Sequence, residues 1–192
     1  MRKGWILTLG VCGMLMAAAA LAQQGGEKKA PTPAPTQTAP APPAQPGPGK
    51  ATATIEGRSG SKLTGTAEFM LHGGELMITV NVKGAPPGVH AVHIHEKGDC
   101  SAPDATSAGG HFNPGGHQHG APDAKEHHAG DLGNMTVAAD GSGSVMVHSD
   151  QLTLEGPNSV IGHAIIVHEK SDDFVTQPTG NAGGRIGCGV IK

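Results

Sequence analysis

Gly88-Val89-His90-Ala91-Val92-His93-Ile94-His95 is the stretch that decides how this chain is read. Successive side chains on a strand point to opposite faces, so His93 and His95 share one face while Val92 and Ile94 take the other. Such a strand offers apolar residues to a core and a pair of imidazoles to a metal. The sequence runs on through Gly98-Asp99-Cys100 and Gly110-His111-Phe112-Asn113-Pro114 to His117, His119, His127, His128, Gly130 and Asp131. Eight of the twelve histidines fall within residues 88–131. Neutral imidazole is the commonest metal ligand, and packing does not call for so many of them in one segment.

Outward from that segment, the pattern is of short strands. Thr52–Glu56 and Lys62–Leu71 are strand-like, and Gly73-Gly74 is a turn. Glu75–Val82 alternates with period two, and Gly84-Ala85-Pro86-Pro87-Gly88 breaks it. Val89–Glu96 follows. Residues 98–131 carry little strand pattern, and a loop of that length inside a domain usually has a function. Leu132–Ala138 and Gly143–His148 pair across a turn at Asp140-Gly141. Residues 152–160 connect to Gly162–His168, which reads as a buried strand ending in a histidine. A second loop, Glu169–Gly184, precedes a last strand, Arg185–Ile191. The expected fold is all-β, of about eight short strands with two long functional loops. Abundant glycine and scarce aromatics (three Phe, one Trp and no Tyr) fit that class.

Residues 1–22 read as a secretory signal peptide. Arg2 and Lys3 precede an apolar run from Trp5 to Leu15, and Ala20-Leu21-Ala22 is a cleavage site. The run is too short for a membrane span. A lipid anchor at Cys12 is disfavoured by Val11, where a small residue is expected. Residues 23–49 form a Pro/Ala-rich linker, leaving 50–192 as the folded domain. Without residues 1–22 the chain carries eleven Lys+Arg against sixteen Asp+Glu, a net charge of −5. With no basic cluster, it is a poor partner for nucleic acid. Cys100 and Cys188 remain after cleavage, and two thiols in an exported chain suggest one disulfide. Loop-closure entropy puts such a bridge at about 4–5 kcal/mol as an upper figure.

With Gly109-Gly110-His111-Phe112-Asn113-Pro114, His128-Ala129-Gly130-Asp131-Leu132-Gly133-Asn134, Val167-His168-Glu169-Lys170 and Gly180–Val190 in order, residues 50–192 resemble the copper/zinc superoxide dismutases in their bacterial exported form. The resemblance implies an eight-stranded Greek-key β-barrel or sandwich, immunoglobulin-like, and a periplasmic or otherwise exported enzyme with copper and zinc as cofactors. That enzyme would turn superoxide anion into oxygen and hydrogen peroxide as an antioxidant defence. It implies copper on His93, His95, His111 and His168, and zinc on His111, His119, His128 and Asp131. His111 bridges the two metals and exchanges a proton during turnover. Asp172 links His93 to His119, and Arg185 draws the anionic substrate to the copper. The family spacing selects His119 over His117 and His128 over His127. The remaining histidines, His72, His90, His148 and His163, take structural or surface roles. Loop 169–184 lacks the charged run that eukaryotic members use to guide substrate, so steering beyond Arg185 is left open. Such proteins occur as monomers and homodimers. The alternative is a non-catalytic exported copper/zinc-binding module, a metal buffer on the same fold.

Overall fold

In the computed structural model, residues 49–192 are described. The signal peptide expected over 1–22, Cys12 and all but the last residue of the linker expected over 23–49 lie outside them. Eight strands form: β1 (Lys50–Gly57), β2 (Thr64–His72), β3 (Glu75–Lys83), β4 (Gly88–His95), β5 (Asp131–Val137), β6 (Gly143–Ser149), β7 (Ala164–His168) and β8 (Arg185–Val190). A single 3-10 turn at Thr106–Ala108 is the only helical element among the described residues. No described helix is long and apolar enough to cross a membrane.

The strands close into one antiparallel barrel in the order β1-β2-β3-β6-β5-β4-β7-β8. Sequential pairing breaks twice. The chain leaves β3 for β4, which pairs with β5 and β7, and it leaves β6 for β7. Between the two architectures expected, barrel and sandwich, the chain takes the closed one. Closure is short: Glu56 faces Cys188 and Gly57 faces Gly187. Here glycine is required, because a Cβ on Gly189 would lie 2.5 Å from the Thr54 carbonyl oxygen.

Alternation builds the core. β1 points Ala51, Ala53 and Ile55 inward, and β3 does the same with Leu76, Ile78, Val80 and Val82. Phe69, Val92, Ile94, Leu132, Met135, Ile165 and Val167 complete it from the other strands. All five residues of β7 are buried, because Ala164 and Ile166 pack outside the barrel in a second small cluster with Ala105, Ala108 and Cys188. That cluster exists because loop 96–130 folds back over β7 and β8. The Cys100–Cys188 disulfide pins it there, with 5.8 Å between the Cα atoms. β7 starts at Ala164 rather than at the expected Gly162, whose φ of 84° leaves the extended range.

The same loop is stitched to β4 by backbone hydrogen bonds. Phe112 N–H donates to Ile94 C=O, Ile94 N–H to Gly130 C=O, and Gly130 N–H to Phe112 C=O. An isolated bridge then places His111 beside His95. A side chain at Gly130 would collide with the Ile94 carbonyl. The histidines of loop 96–130 thus reach the imidazole face of β4 through backbone geometry.

Candidate metal centre

Two buried groups of ligand atoms form on that face. His93, His95, His111 and His168 make the first, and His111, His119, His128 and Asp131 the second, with the donor atoms of each within 4.8 Å of one another. β4 supplies His93 and His95, the end of β7 supplies His168, and loop 96–130 supplies His111, His119 and His128. Asp131 opens β5. His111 belongs to both groups.

The hydrogen bonds fix which nitrogens carry protons. His93 Nε2–H donates to Asp172 Oδ2 at 2.7 Å, and His119 Nε2–H donates to Asp172 Oδ1 at 2.9 Å. A carboxylate only accepts, so each Nδ1 in these neutral rings is a bare lone pair. His95 Nδ1–H donates to the Gly109 carbonyl at 2.8 Å, which leaves its Nε2 bare and 3.3 Å from His168 Nε2. The Gly183 carbonyl lies 3.5 Å from His168 Nδ1 and holds that ring's proton on the far side.

The inward-facing ligand atoms then come together, with His111 Nδ1 2.8 Å from Asp131 Oδ1. His119 Nδ1 sits 3.0 Å from Asp131 Oδ2. His128 Nδ1 lies 3.3 Å from both His111 Nδ1 and Asp131 Oδ1. Buried His93 Nδ1, His111 Nε2 and His119 Nδ1 have no hydrogen-bond partner. Lone pairs crowded together in a buried site repel unless a cation lies among them. A tetrahedron with zinc-to-nitrogen bonds of about 2.0–2.1 Å has edges of about 3.3 Å, close to the 2.8–3.3 Å contacts within the second group. The residues present therefore fit metal ions in both groups. The ring N–H groups turned away from them toward a carboxylate or a carbonyl are the usual support of metal-binding histidines.

Electrostatics agree with neutral rings. Burial holds His93, His95 and His168 well below the ordinary imidazole value of 6.5, and neighbouring imidazoles add to the effect. Burial alone would push Asp131 up, but hydrogen bonds from His111 and His128 outweigh it and hold the carboxyl well below the usual range. The consequence for the metal-free protein has a definite sign. Near 6.5 the unfolded histidines take protons that the folded ones refuse, so stability falls as pH drops below that value. The Asp131 contribution persists to lower pH, being present above the ordinary carboxylate value of 3.8 and lost as pH falls toward the folded one. Urea midpoints of the metal-free protein should decline steadily from about pH 7 to about pH 5. A flat profile would contradict the neutral-ring assignment.

Arg185 sits half-buried at the start of β8. Its Nη1 donates to the Ala105 carbonyl and its Nη2 to the Gly109 carbonyl, each at 2.6 Å. The Gly109 carbonyl thus receives hydrogen bonds from both Arg185 and His95, so the guanidinium is held one carbonyl away from the first group. Among the other histidines, His117 is exposed and His127 is buried, with its Nδ1–H donated to the His128 carbonyl at 2.8 Å. The two ring nitrogens of His90 lie 2.8–2.9 Å from the Pro86 and His168 carbonyls. His163 stacks on Phe112 with ring centroids 4.0 Å apart. His72 and His148 are exposed.

Two uncharged residues at the site were given no role by the sequence, although Asn134 closes one of the motifs that carry the resemblance. Gln177 grips the backbone of His119: His119 N–H donates to Gln177 Oε1 and Gln177 Nε2 donates to the His119 carbonyl, both at 2.8 Å. Asn134 grips Asp172 in the same way, at 2.8 and 3.0 Å. These clamps tie loop 169–184 to the zinc-type group across 58 and 38 residues of sequence. Gln177→Ala should leave the melting of the metal-free barrel unchanged. Metal release from the His119 side should accelerate by about tenfold, followed by competition with a chromogenic chelator. Unchanged release would reduce Gln177 to a surface contact.

A closed β-barrel with two buried imidazole-rich groups that share one histidine could hold two metal ions side by side. Residues 63–191 match the family described as copper/zinc superoxide dismutase, and the chain belongs to that family. A solved structure described as the crystal structure of the clock protein EA4 is 37% identical, covers 77% of this chain and 96% of its own, and superposes with a TM-score of 0.68.

Proposed function

We propose that the protein is an exported superoxide dismutase of the bacterial type. The observation that carries this reading is His111, whose Nδ1 lies in one ligand group while its buried Nε2 is unpartnered in the other. His93, His95, His111 and His168 would hold copper, since an all-imidazole set suits a redox copper. His111, His119, His128 and Asp131 would hold zinc, as three imidazoles and a carboxylate suit a closed four-coordinate site. Copper supplies a one-electron couple: one superoxide gives up an electron and leaves as dioxygen, and a second takes that electron with two protons and leaves as hydrogen peroxide.

The remaining work falls to side chains. His111 would carry no ring proton while holding both metals; with Nε2 free it would take one, and that buried, unpartnered atom is placed to hold a proton for reduced substrate. Asp172 keeps His93 and His119 in the tautomers that present Nδ1 inward. Arg185, fixed by two carbonyls, presents positive charge to an arriving anion. The sequence of residues 1–22 supports export to the periplasm, and that of 23–49 supports a spacer before the domain.

Arg185→Ala tests this reading against a metal buffer. Superoxide removal by the copper- and zinc-loaded protein should slow by about tenfold or more, with copper content unchanged, because oriented charge raises anion capture by that order. The alternative is a metal buffer on the same fold, and a structure 37% identical to this chain carries the description of a clock protein. Under that role the loaded protein binds both metals and removes superoxide no faster than the solvent background, with or without Arg185.

A further inference from the structure

Four methionines lie in the described residues, and three of them share one patch of solvent-facing barrel. The register places Met70 of β2 directly opposite Met77 of β3, and Met77 directly opposite His148 of β6. Met146, two residues before His148 and therefore on the same face, is 60% exposed. Met135 alone is buried in the core. Met77 is thus the centre of a group, flanked by a thioether on one side and an imidazole on the other, with a second thioether on the diagonal. Directly paired and diagonal neighbours on a sheet face lie within reach of long side chains.

The patch departs from the rest of its face. Elsewhere the outward positions of these strands carry Thr64, Thr66, Glu68, Asn81, Lys83 and Ser144, the polar residues that a solvated face ordinarily takes. Cys100 and Cys188 are joined in a disulfide, so thioethers are the only sulfur ligands the described residues have to offer. Glu75 Oε2 lies 3.7 Å from His148 Nδ1, so a carboxylate charge stands beside the imidazole without a hydrogen bond to it. A carboxylate behind one imidazole nitrogen is the usual arrangement of a ligating histidine. Thioether and imidazole together select monovalent copper over zinc, calcium or magnesium.

We propose that Met70, Met77, Met146 and His148 form a surface site for copper(I), separate from the buried centre. The buried centre draws on β4, β5 and β7, whereas this patch lies on β2, β3 and β6, so the two do not share a residue. A protein that needs copper for its buried centre would gain from a second site that holds the reduced ion in exchange with solvent.

The test is an anaerobic copper(I) titration of the full chain with its buried centre already loaded, in competition with a chromogenic copper(I) chelator. One further equivalent should bind. The triple variant M70L/M77L/M146L, apolar in kind at outward positions, should bind it about tenfold more weakly or worse while the buried centre loads as before. In protein labelled at the methionine methyls, copper(I) should move the signals of Met70, Met77 and Met146 and leave Met135 still. Absence of the further equivalent, equal binding by the triple variant, or uptake of zinc(II) at the same place with the methionine signals unmoved would each overturn the site.

Discussion

Asp172→Asn should be the most damaging single substitution outside the ligands themselves. The Asp172 carboxylate is fully buried and accepts hydrogen bonds from His93 Nε2–H, His119 Nε2–H and the Phe174 N–H. Asparagine keeps the shape but replaces one acceptor with a donor, so one ring N–H would face an N–H. Breaking a buried charged partnership in this way costs about 3–5 kcal/mol. The affected ring would turn or change tautomer, and its Nδ1 would no longer point into its group. Metal affinity should then fall by about 10- to 100-fold on both sides together, since one residue supports a ligand in each group. Urea melts of the metal-free variant and chelator competition with each metal measure the two effects. Loss on one side only would show that Asp172 is not the shared support that its two hydrogen bonds describe.

Removing the metals should have the other large effect. The second group draws His111, His119 and His128 from a loop that contains only one short 3-10 turn, and its donor atoms oppose one another without a cation. Ions bound to the folded state alone stabilise it by mass action. An excess of about a thousandfold over Kd contributes about 4 kcal/mol per ion, which is about 10 °C in Tm for a domain of this size. Zinc alone should supply most of the ordering of loop 96–130, and copper should add to it. Equal Tm values for the stripped and loaded protein would mean that the loop is held by the disulfide and the backbone stitching to β4, and that the metals add nothing to folding.

Most of the fold could be read from the sequence because its signal is local. The alternation in β3 and β1 and the two-residue turn at Asp140-Gly141 state their geometry within a few residues. Closure of the barrel is different: it rests on β8 approaching β1 closely at glycines 130 residues or more from their partners in sequence, and alternation carries no information about which edges meet. The same division holds at the site. His93 and His95 announce a shared face through their spacing alone, whereas the choice of His119 over exposed His117 depended on family spacing and not on any physical property of the two residues. The roles of Gln177, Asn134 and the Gly109 carbonyl were not legible, since an amide or a backbone oxygen carries no charge pattern, and Gln177 and Asn134 each act across a long stretch of chain. The methionine patch was equally silent: Met70, Met77, Met146 and His148 become neighbours only once the strand register is known.

The central claim is that the two buried groups make a copper enzyme that consumes superoxide. Superoxide decay followed directly in the presence of the mature protein tests it, with the protein metal-free, loaded with zinc alone, and loaded with one equivalent each of copper and zinc. Decay should run at background rate in the first two cases and near the diffusional ceiling, about 10⁸–10⁹ M⁻¹s⁻¹, in the third. Tight binding of both metals with decay still at background would contradict it and leave a metal-binding protein on a dismutase fold.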